Sequence, residues 1–138
     1  MRNIKGRSFV TLMIIIAVSS LVFRFGIEGI IEINISQNES VAQETVKLIS
    51  AALENYARDN HGIYPTSLSI LVHTKPPYLD QNYIAKSAVK GYSYSCGRLE
   101  SSGYNCSAIP TKCNLTGRTN YAVSTGGSLA LEECAKKE

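Results

Sequence analysis

The residues with the clearest capacity for chemistry in this sequence are four cysteines, all in its last third: Cys96, Cys106, Cys113 and Cys134. Zinc sites usually contain C-x2-C pairs, whereas the successive separations here are ten, seven and twenty-one residues. An even number of cysteines in a small polar domain behind a membrane-type segment is typical of disulfide bonds in an oxidising compartment. Three pairings are possible. We favour Cys96–Cys106 and Cys113–Cys134, because each would join neighbouring predicted strands.

The other candidates for chemistry lack the sequence context that a reaction needs. His61 and His73 have no partner at metal-ligand spacing, so we expect them to be solvated surface side chains. Gly126-Gly127 precedes no helix start and indicates a turn rather than a phosphate-binding loop, and no G-x-S-x-G nucleophile motif is present. A calcium site is poorly supported, because the acidic residues after Asp80 are only Glu100, Glu132, Glu133 and Glu138. The sequence therefore predicts a protein that is not an enzyme and has no cofactor.

The composition indicates a single polar domain behind an apolar N-terminus. The chain has 138 residues, a length that supports one domain. Its 14 Lys and Arg residues against 11 Asp and Glu residues give a formal charge of +3. Two cations, Arg2 and Lys5, precede the apolar region, and the chain after residue 6 has twelve cations against eleven acids, a charge of +1. Nucleic-acid binding needs a clustered basic face, so nucleic acid is not an expected partner.

The N-terminal apolar segment has the character of a membrane-spanning helix. Residues Phe9 to Phe23 contain no charge, Arg24 interrupts them, and apolar residues continue to Ile35. A spanning helix needs roughly 20 mostly apolar residues. The segment reaches that length only if Arg24 snorkels or pairs with Glu28, four residues further on. Basic residues before the segment predict that the N-terminus stays inside and the C-terminus outside.

Two plainer interpretations of this segment are possible. One is an ordinary secretory signal cleaved near Ala17-Val18-Ser19, but Leu21-Val22-Phe23 extends the apolar run past that point, where a polar flank is expected. The other is an uncleaved membrane anchor, which hydropathy alone does not distinguish from a processed one.

The next segment predicts an amphipathic helix that continues the apolar one. From residue 40 the chain contains a helical apolar stripe of Val41, Thr45, Leu48, Ile49, Ala52, Leu53 and Tyr56. The opposite face contains Gln43, Glu44, Lys47, Glu54 and Arg58. No proline lies between Phe9 and Asp59, so we expect one long helix, weakened in its middle by Gly26 and Gly29. Asn60-His61-Gly62 is a helix stop.

The remainder predicts a short helix and a small antiparallel sheet. Leu68 to Val72 could form one helical turn or two within a loop-rich connector that covers residues 66–90. Four strand candidates follow, at residues 91–96, 104–109, 119–124 and 128–133, and Thr125-Gly126-Gly127 is a tight hairpin signal. The fold class predicted is α+β, with a long N-terminal helix whose amphipathic half packs on a small C-terminal antiparallel sheet.

These parts and their order resemble a known family. Lys5-Gly6 followed by RSFVTLMIIIAV resembles the class III signal of type IV prepilins and type II secretion pseudopilins, and residues 12–17 align with that family's LMIVIA. ETVKLISAALENYARDNHGIYPTSLSIL is similar to the helix end and N-G-x-Y-P-T loop of pseudopilins, and the C-terminal segments are similar to their closing sheet. The likeness covers most of residues 5–133.

The resemblance implies a processing site at the start of the apolar helix. Gly6 falls on the cleavage glycine, so prepilin peptidase would release residues 1–6 and methylate the new amine of Arg7. Thr11 would be the fifth mature residue, where most members of the family have a glutamate that meets the N-terminal amine of a neighbouring subunit. That ion pair is unavailable here, which favours a minor or divergent pilin. A second register would start at Phe9 and make Met13 the fifth residue, which is again not an acid.

The resemblance also implies the domains, location and partners. We expect a leader at residues 1–6, a transmembrane and filament-core helix at 7–35, and a globular domain at 36–138, with helix 36–60, loop 61–90 and sheet 91–134. The expected function is a structural subunit of a type IV pilus or type II secretion filament, in the bacterial inner membrane with its C-terminus periplasmic. Its partners would be homologous pilins, prepilin peptidase, an inner-membrane assembly platform and the lipid bilayer. The alternatives are a membrane-anchored binding module, such as an adhesin or DNA-uptake pilin, and an anchored periplasmic enzyme.

Overall fold

A computed structural model of the chain describes residues 5–135, with side chains from Ser8 onward. Residues 1–4 of the predicted leader, and residues 136–138, lie outside this part of the chain. The elements are α1 (Lys5–Asp59), α2 (Leu68–His73), β1 (Tyr92–Glu100), β2 (Gly103–Pro110), β3 (Thr119–Ser124) and β4 (Ser128–Glu133). The α+β prediction is confirmed, because a long N-terminal helix packs on a four-stranded antiparallel sheet.

The chain divides into two compact units. The first unit runs to Ile33 and consists, where it is described, of helix alone. The second unit begins at Asn34 and contains the rest of α1, the short helix, the sheet and the buried core. Ile35, which is 2% exposed, is the first buried residue along the described chain.

The long helix ends where the glycine stop signal predicts. After Asp59, the backbone N–H of Gly62 donates to the carbonyl of Ala57 at 2.7 Å, and His61 and Gly62 have φ values of 56° and 82°. A residue in the left-handed conformation, together with this hydrogen bond across five residues, closes the last turn of the helix and gives its free carbonyl groups a donor. Glycine suits this turn because it has no Cβ to strain the left-handed backbone.

The buried face of α1 agrees with the predicted stripe only in part. Leu48, predicted to be buried, is 45% exposed, and Val46 is buried in its place. Glu54, predicted to face solvent, is half-buried and hydrogen-bonded to the sheet side of the molecule. Four of the seven predicted positions are buried, and the full buried set between residues 40 and 59 is Ala42, Thr45, Val46, Ile49, Ser50, Ala52, Leu53 and Ala57. The buried face is therefore wider than the predicted stripe and extends to Val46 rather than Leu48, because packing within the unit decides which of the neighbouring apolar positions is covered.

The four predicted strands are confirmed, and they form a simple meander in the order β1-β2-β3-β4. β1 is longer than predicted. It continues through Gly97 to Glu100, residues predicted to be a loop, because the register shifts between Cys96 and Arg98 and pairing resumes beyond this bulge. The hairpin predicted at Thr125-Gly126-Gly127 is present, with positive φ values at both glycines.

Tyrosines form much of the core between α1 and the sheet. Tyr92, Tyr94, Tyr104 and Tyr121 alternate with outward-facing residues along their strands, and all four are buried. The rings of Tyr92 and Tyr121 pack at 6.1 Å between centroids. Tyrosine burial therefore supplies the large apolar surface that a domain of this size needs.

Two disulfide bonds link the strands. Cys96 is bonded to Cys106 across β1 and β2, and Cys113 is bonded to Cys134, which connects the segment after β2 to the end of β4. These are the two pairs that strand adjacency favours, and no described cysteine is free. Closing loops of 10 and 21 residues reduces the entropy of the unfolded chain, which stabilises the fold by about 3 kcal/mol for each bond.

Candidate functional site

The most distinctive surface of this protein is the apolar surface of the first half of α1. Its large apolar side chains from Phe9 to Ile30 are each more than half exposed: Phe9, Val10, Leu12, Met13, Ile14, Ile15, Ile16, Val18, Leu21, Val22, Phe23, Phe25, Ile27 and Ile30. Soluble proteins rarely expose a continuous apolar area of this extent. By length and composition this helix is able to cross a membrane.

Hydroxyl groups within the apolar helix are satisfied by the helix itself. Ser19 Oγ donates to the carbonyl of Ile15 at 2.6 Å, and Ser20 Oγ donates to the carbonyl of Ala17 at 2.8 Å. A hydroxyl in a bilayer core cannot bond to water, so an internal acceptor removes most of the cost of placing it there. These two serines therefore do not oppose insertion into lipid.

Arg24 is the charge that interrupts the apolar run. It and Glu28 are both exposed and described, yet they form no ion pair with each other in the structure. The long aliphatic stem of an arginine allows its guanidinium to reach the headgroups when the helix lies in a membrane.

The predicted processing residues lie together at the start of α1. Gly6 and Arg7 belong to its first turns, although their side chains lie outside the described residues. Thr11 lies one turn after Arg7 and is exposed. A helix rises about 1.5 Å for each residue, so these positions occupy one short stretch at the N-terminal end of the exposed apolar surface.

An apolar groove runs along the side of the first unit. It is lined by Val18, Ser19, Val22, Phe23, Gly26, Ile27 and Ile30. A Cβ added at Gly26 would meet no described atom within 4 Å, so packing within this chain does not require a glycine there. Small residues on an apolar helix allow another helix to approach closely, and the groove offers that kind of surface.

In the second unit, Glu54 holds the helix, a loop and the sheet together. Its Oε1 accepts hydrogen bonds from the Tyr104 hydroxyl at 2.9 Å and from the Gly126 backbone N–H at 2.8 Å, and its Oε2 accepts one from the Tyr64 hydroxyl at 3.1 Å. Sequence reasoning missed this cluster. The available signal was a carboxylate that directly follows the buried Leu53 on the helix.

The chemistry of this cluster is structural. Burial raises the pKa of Tyr104 to about 12, and its bond to Glu54 acts in the same direction, whereas the Ser50 hydroxyl, 2.8 Å away, acts in the opposite one. The phenol therefore stays protonated and donates a hydrogen bond at physiological pH. Both carboxylate oxygens of Glu54 are already bonded to protein groups, which suits a link between elements better than proton transfer to a substrate.

The described part of the chain contains no cluster of side chains that could bind a metal ion. No group of three His, Cys, Asp or Glu residues that could hold an ion occurs among residues 5–135. His61 and His73 are both exposed, as the sequence predicts, and His73 Nδ1 lies 2.7 Å from the Ser69 carbonyl in its own short helix. Each histidine therefore belongs to a helix end rather than to a shared site.

Comparison with known proteins gives no match: neither a family model nor a curated protein matches this chain. The exposed apolar helix and the disulfide-linked unit that follows it are the features of this chain that bear on its function.

Proposed function

We propose that this protein is a pilin-like structural subunit, a pilin or pseudopilin, of a type IV pilus or a type II secretion-type filament. The observation that supports this most strongly is the combination of one long, wholly exposed apolar helix with a small polar unit that has its own core and two disulfide bonds. A subunit of this kind is not an enzyme, and its helix is the functional part.

The precursor first resides in the bacterial inner membrane. Its apolar helix spans the bilayer once, and the second unit lies in the periplasm, an oxidising compartment in which its disulfide bonds form. Prepilin peptidase then removes residues 1–6 and methylates the amine of Arg7. The resemblance of the N-terminal motif supports this processing step.

Assembly transfers the helix from lipid to a bundle of similar helices. The large apolar side chains from Phe9 to Ile30 leave the bilayer only as they pack on other subunits, so they avoid water throughout. Each such side chain that would otherwise be exposed contributes about 1.5–3 kcal/mol when it is buried. The groove beside Gly26 gives a neighbouring helix a close approach.

Thr11 gives this subunit a particular role in the filament. A glutamate at that position must find a cationic partner once it is buried, whereas a hydroxyl can bond to its own helix. This subunit therefore enters an apolar core without an ion pair to the next amine. That property suits a minor subunit, present in few copies, better than the repeating major one.

Processing is the most direct test of the proposal. The full-length chain is expressed with and without prepilin peptidase, and the intact mass is measured in the membrane fraction. We expect the peptidase to remove residues 1–6 and add one methyl group. The substitution Gly6→Leu should block both changes, while the control substitution Gly26→Leu, in the same helix, should leave them intact.

Three results of this experiment contradict the proposal. An intact Met1 in the presence of the peptidase would show that the leader is not a substrate. A new N-terminus close to Ser19 would identify an ordinary secretory signal. A full-length chain recovered in the soluble fraction as a monomer would show that the apolar helix needs neither lipid nor other subunits.

A further inference from the structure

Two loops meet at the end of the second unit from which the chain leads to the apolar helix. They comprise residues 89–91 and 111–118, and we call them the loop pair. The Asn38 side chain donates to the Thr116 carbonyl at 3.0 Å, and the Thr111 backbone N–H donates to the Gly91 carbonyl at 2.9 Å. The loop pair is therefore fixed to helix residue 38, close to Ile35, where the buried core begins.

The second loop presents a leucine on a rigid turn. The Thr116 N–H donates to the Lys112 carbonyl at 2.9 Å, and the Asn114 N–H donates to the Gly117 carbonyl at 2.8 Å. The disulfide bond of Cys113 fixes the same turn to the end of the sheet. Leu115 lies in this turn and is 46% exposed. Because the backbone of this turn is already fixed, little conformational entropy would be lost if the Leu115 side chain entered a lipid surface.

The exposed charges of the loop pair are mainly positive. Lys90 and Lys112 are both exposed, and neither forms an ion pair with a described carboxylate. One described acid, Glu39, is bonded to the loop pair, because its Oε1 accepts the Arg118 backbone N–H at 2.7 Å. A turn that carries an exposed apolar side chain, in a loop pair with two exposed lysines, suits an anionic lipid surface, where the leucine enters the acyl boundary and the ammonium groups meet phosphates.

Covalent connection keeps the loop pair near any membrane that the first unit spans. Asn38 follows Ile33, the last residue of that unit, by five residues. Five residues reach at most about 17 Å even when fully extended. The headgroup region on each side of a bilayer is about 5–8 Å thick. The headgroups of a membrane that the first unit spans are therefore within reach of the loop pair.

We propose that the loop pair is a second, interfacial membrane contact, in which Leu115 enters the headgroup boundary and Lys90 and Lys112 bind anionic lipid phosphates. This inference rests on the proposed membrane anchoring of the apolar helix. The contact would exist before assembly, when the second unit lies against the outer leaflet of the inner membrane. Extraction of the subunit into a filament must then break this contact.

The chain contains no tryptophan, so single tryptophans report on single sites. Full-length Leu115→Trp is reconstituted in vesicles of phosphatidylcholine with or without phosphatidylglycerol, and its quenching by lipids labelled near the headgroup or deep in the acyl chain is measured. Phe23→Trp reports on the apolar helix. Ile63→Trp, an exposed position after the far end of α1, is the matched control.

The inference predicts that Leu115→Trp emits at shorter wavelength in anionic vesicles and is quenched by the shallow label, while Ile63→Trp stays water-like and Phe23→Trp is quenched by the deep label. If Phe23→Trp is quenched and Leu115→Trp stays water-like, the interfacial contact is refuted and the anchoring stands. If Phe23→Trp is not quenched, anchoring itself fails. If the Leu115→Trp shift follows protein concentration rather than lipid charge, the loop pair contacts a second copy, which also overturns the inference.

Charge removal tests the lysines separately. A lysine near an anionic surface contributes about fivefold in partitioning, so the variant K90Q/K112Q should lower the ratio of shallowly quenched to unquenched Leu115→Trp about thirtyfold. The control variant K47Q/K75Q makes the same change in charge at exposed lysines outside the loop pair and should leave quenching unchanged. Equal effects of the two variants would show that net charge, and not the loop pair, attracts the membrane.

Discussion

Replacing Glu54 tests whether one carboxylate links the three elements of the second unit. Its two oxygens accept hydrogen bonds from Tyr104, Gly126 and Tyr64, at 2.9, 2.8 and 3.1 Å respectively. A hydrogen bond to a charged group contributes about 1.5–3 kcal/mol when it is buried. Glu54 is only half-buried, so water screens these bonds and replaces part of what is lost. Tyr104 also retains a bond to Ser50 after the change.

We therefore expect Glu54→Ala to lower the free energy of unfolding of the second unit by about 2–3 kcal/mol. Glu54→Gln, which keeps one carbonyl acceptor, should cost about 1 kcal/mol. The matched control is Glu44→Ala, an exposed position on the same helix, for which the change should stay within about 0.5 kcal/mol. The helix propensity gained with alanine is common to both sites and cancels in the comparison.

The measurement is urea unfolding of the full-length chain in a mild detergent, with disulfide bonds intact. The signal is the near-ultraviolet circular dichroism of the tyrosines, which reports on their packing. The slope of the transition should be the same for all variants, so that midpoint differences give free energies. An effect of Glu54→Ala no larger than that of Glu44→Ala would refute the idea that this carboxylate joins helix, loop and sheet.

Two further predictions concern the tyrosine core. A Cβ at Gly117 would overlap the Tyr92 side chain, so Gly117→Ala should destabilise the second unit by about 2–3 kcal/mol. The control Gly97→Ala, whose added Cβ would meet nothing within 4 Å, should be close to neutral. Urea unfolding midpoints compare the two variants, and equal midpoints would contradict the packing of Tyr92 against Gly117. Burial raises the pKa of Tyr104 from 10.0 to about 12, so its neutral form gives stability that is complete below pH 10 and is lost as the pH rises towards 12. That loss is worth about 2–3 kcal/mol, and unfolding titrations of Tyr104→Phe should show an alkaline decline that is smaller by this amount.

Local patterns in the chain were sufficient for most of the elements. The proline-free stretch to Asp59 and the stop at Asn60-His61-Gly62 predicted one long helix and its end, because helix continuation and termination depend on neighbouring residues. Alternating tyrosines and the Gly126-Gly127 hairpin predicted the strands for the same reason. The exposed apolar surface from Phe9 onward could also be predicted, since no other segment of the chain is apolar enough to cover it.

Contacts between residues that are far apart in the sequence could not be predicted from such local patterns. Val46 and Leu48 are both apolar and lie beside the predicted buried face, and only packing within the unit buried Val46 and left Leu48 exposed. The role of Glu54 required Tyr64 and Tyr104, which lie 10 and 50 residues further along the chain. A charged residue on a helix is usually solvated, so its place directly after Leu53 was the one local signal, and that place did not identify these partners.

The amino-acid sequence by itself determined that this protein has an apolar rod followed by a small polar unit of helix, meander and cysteines, because periodicity, glycine stops and hydropathy act over a few residues at a time. Tertiary structure alone decided which face of the helix is buried, that β1 continues past its bulge, and that residues 89–91 and 111–118 meet beside Asn38. These features depend on which surfaces fit together once the chain has closed on itself, and that fit is a property of the whole core rather than of any segment.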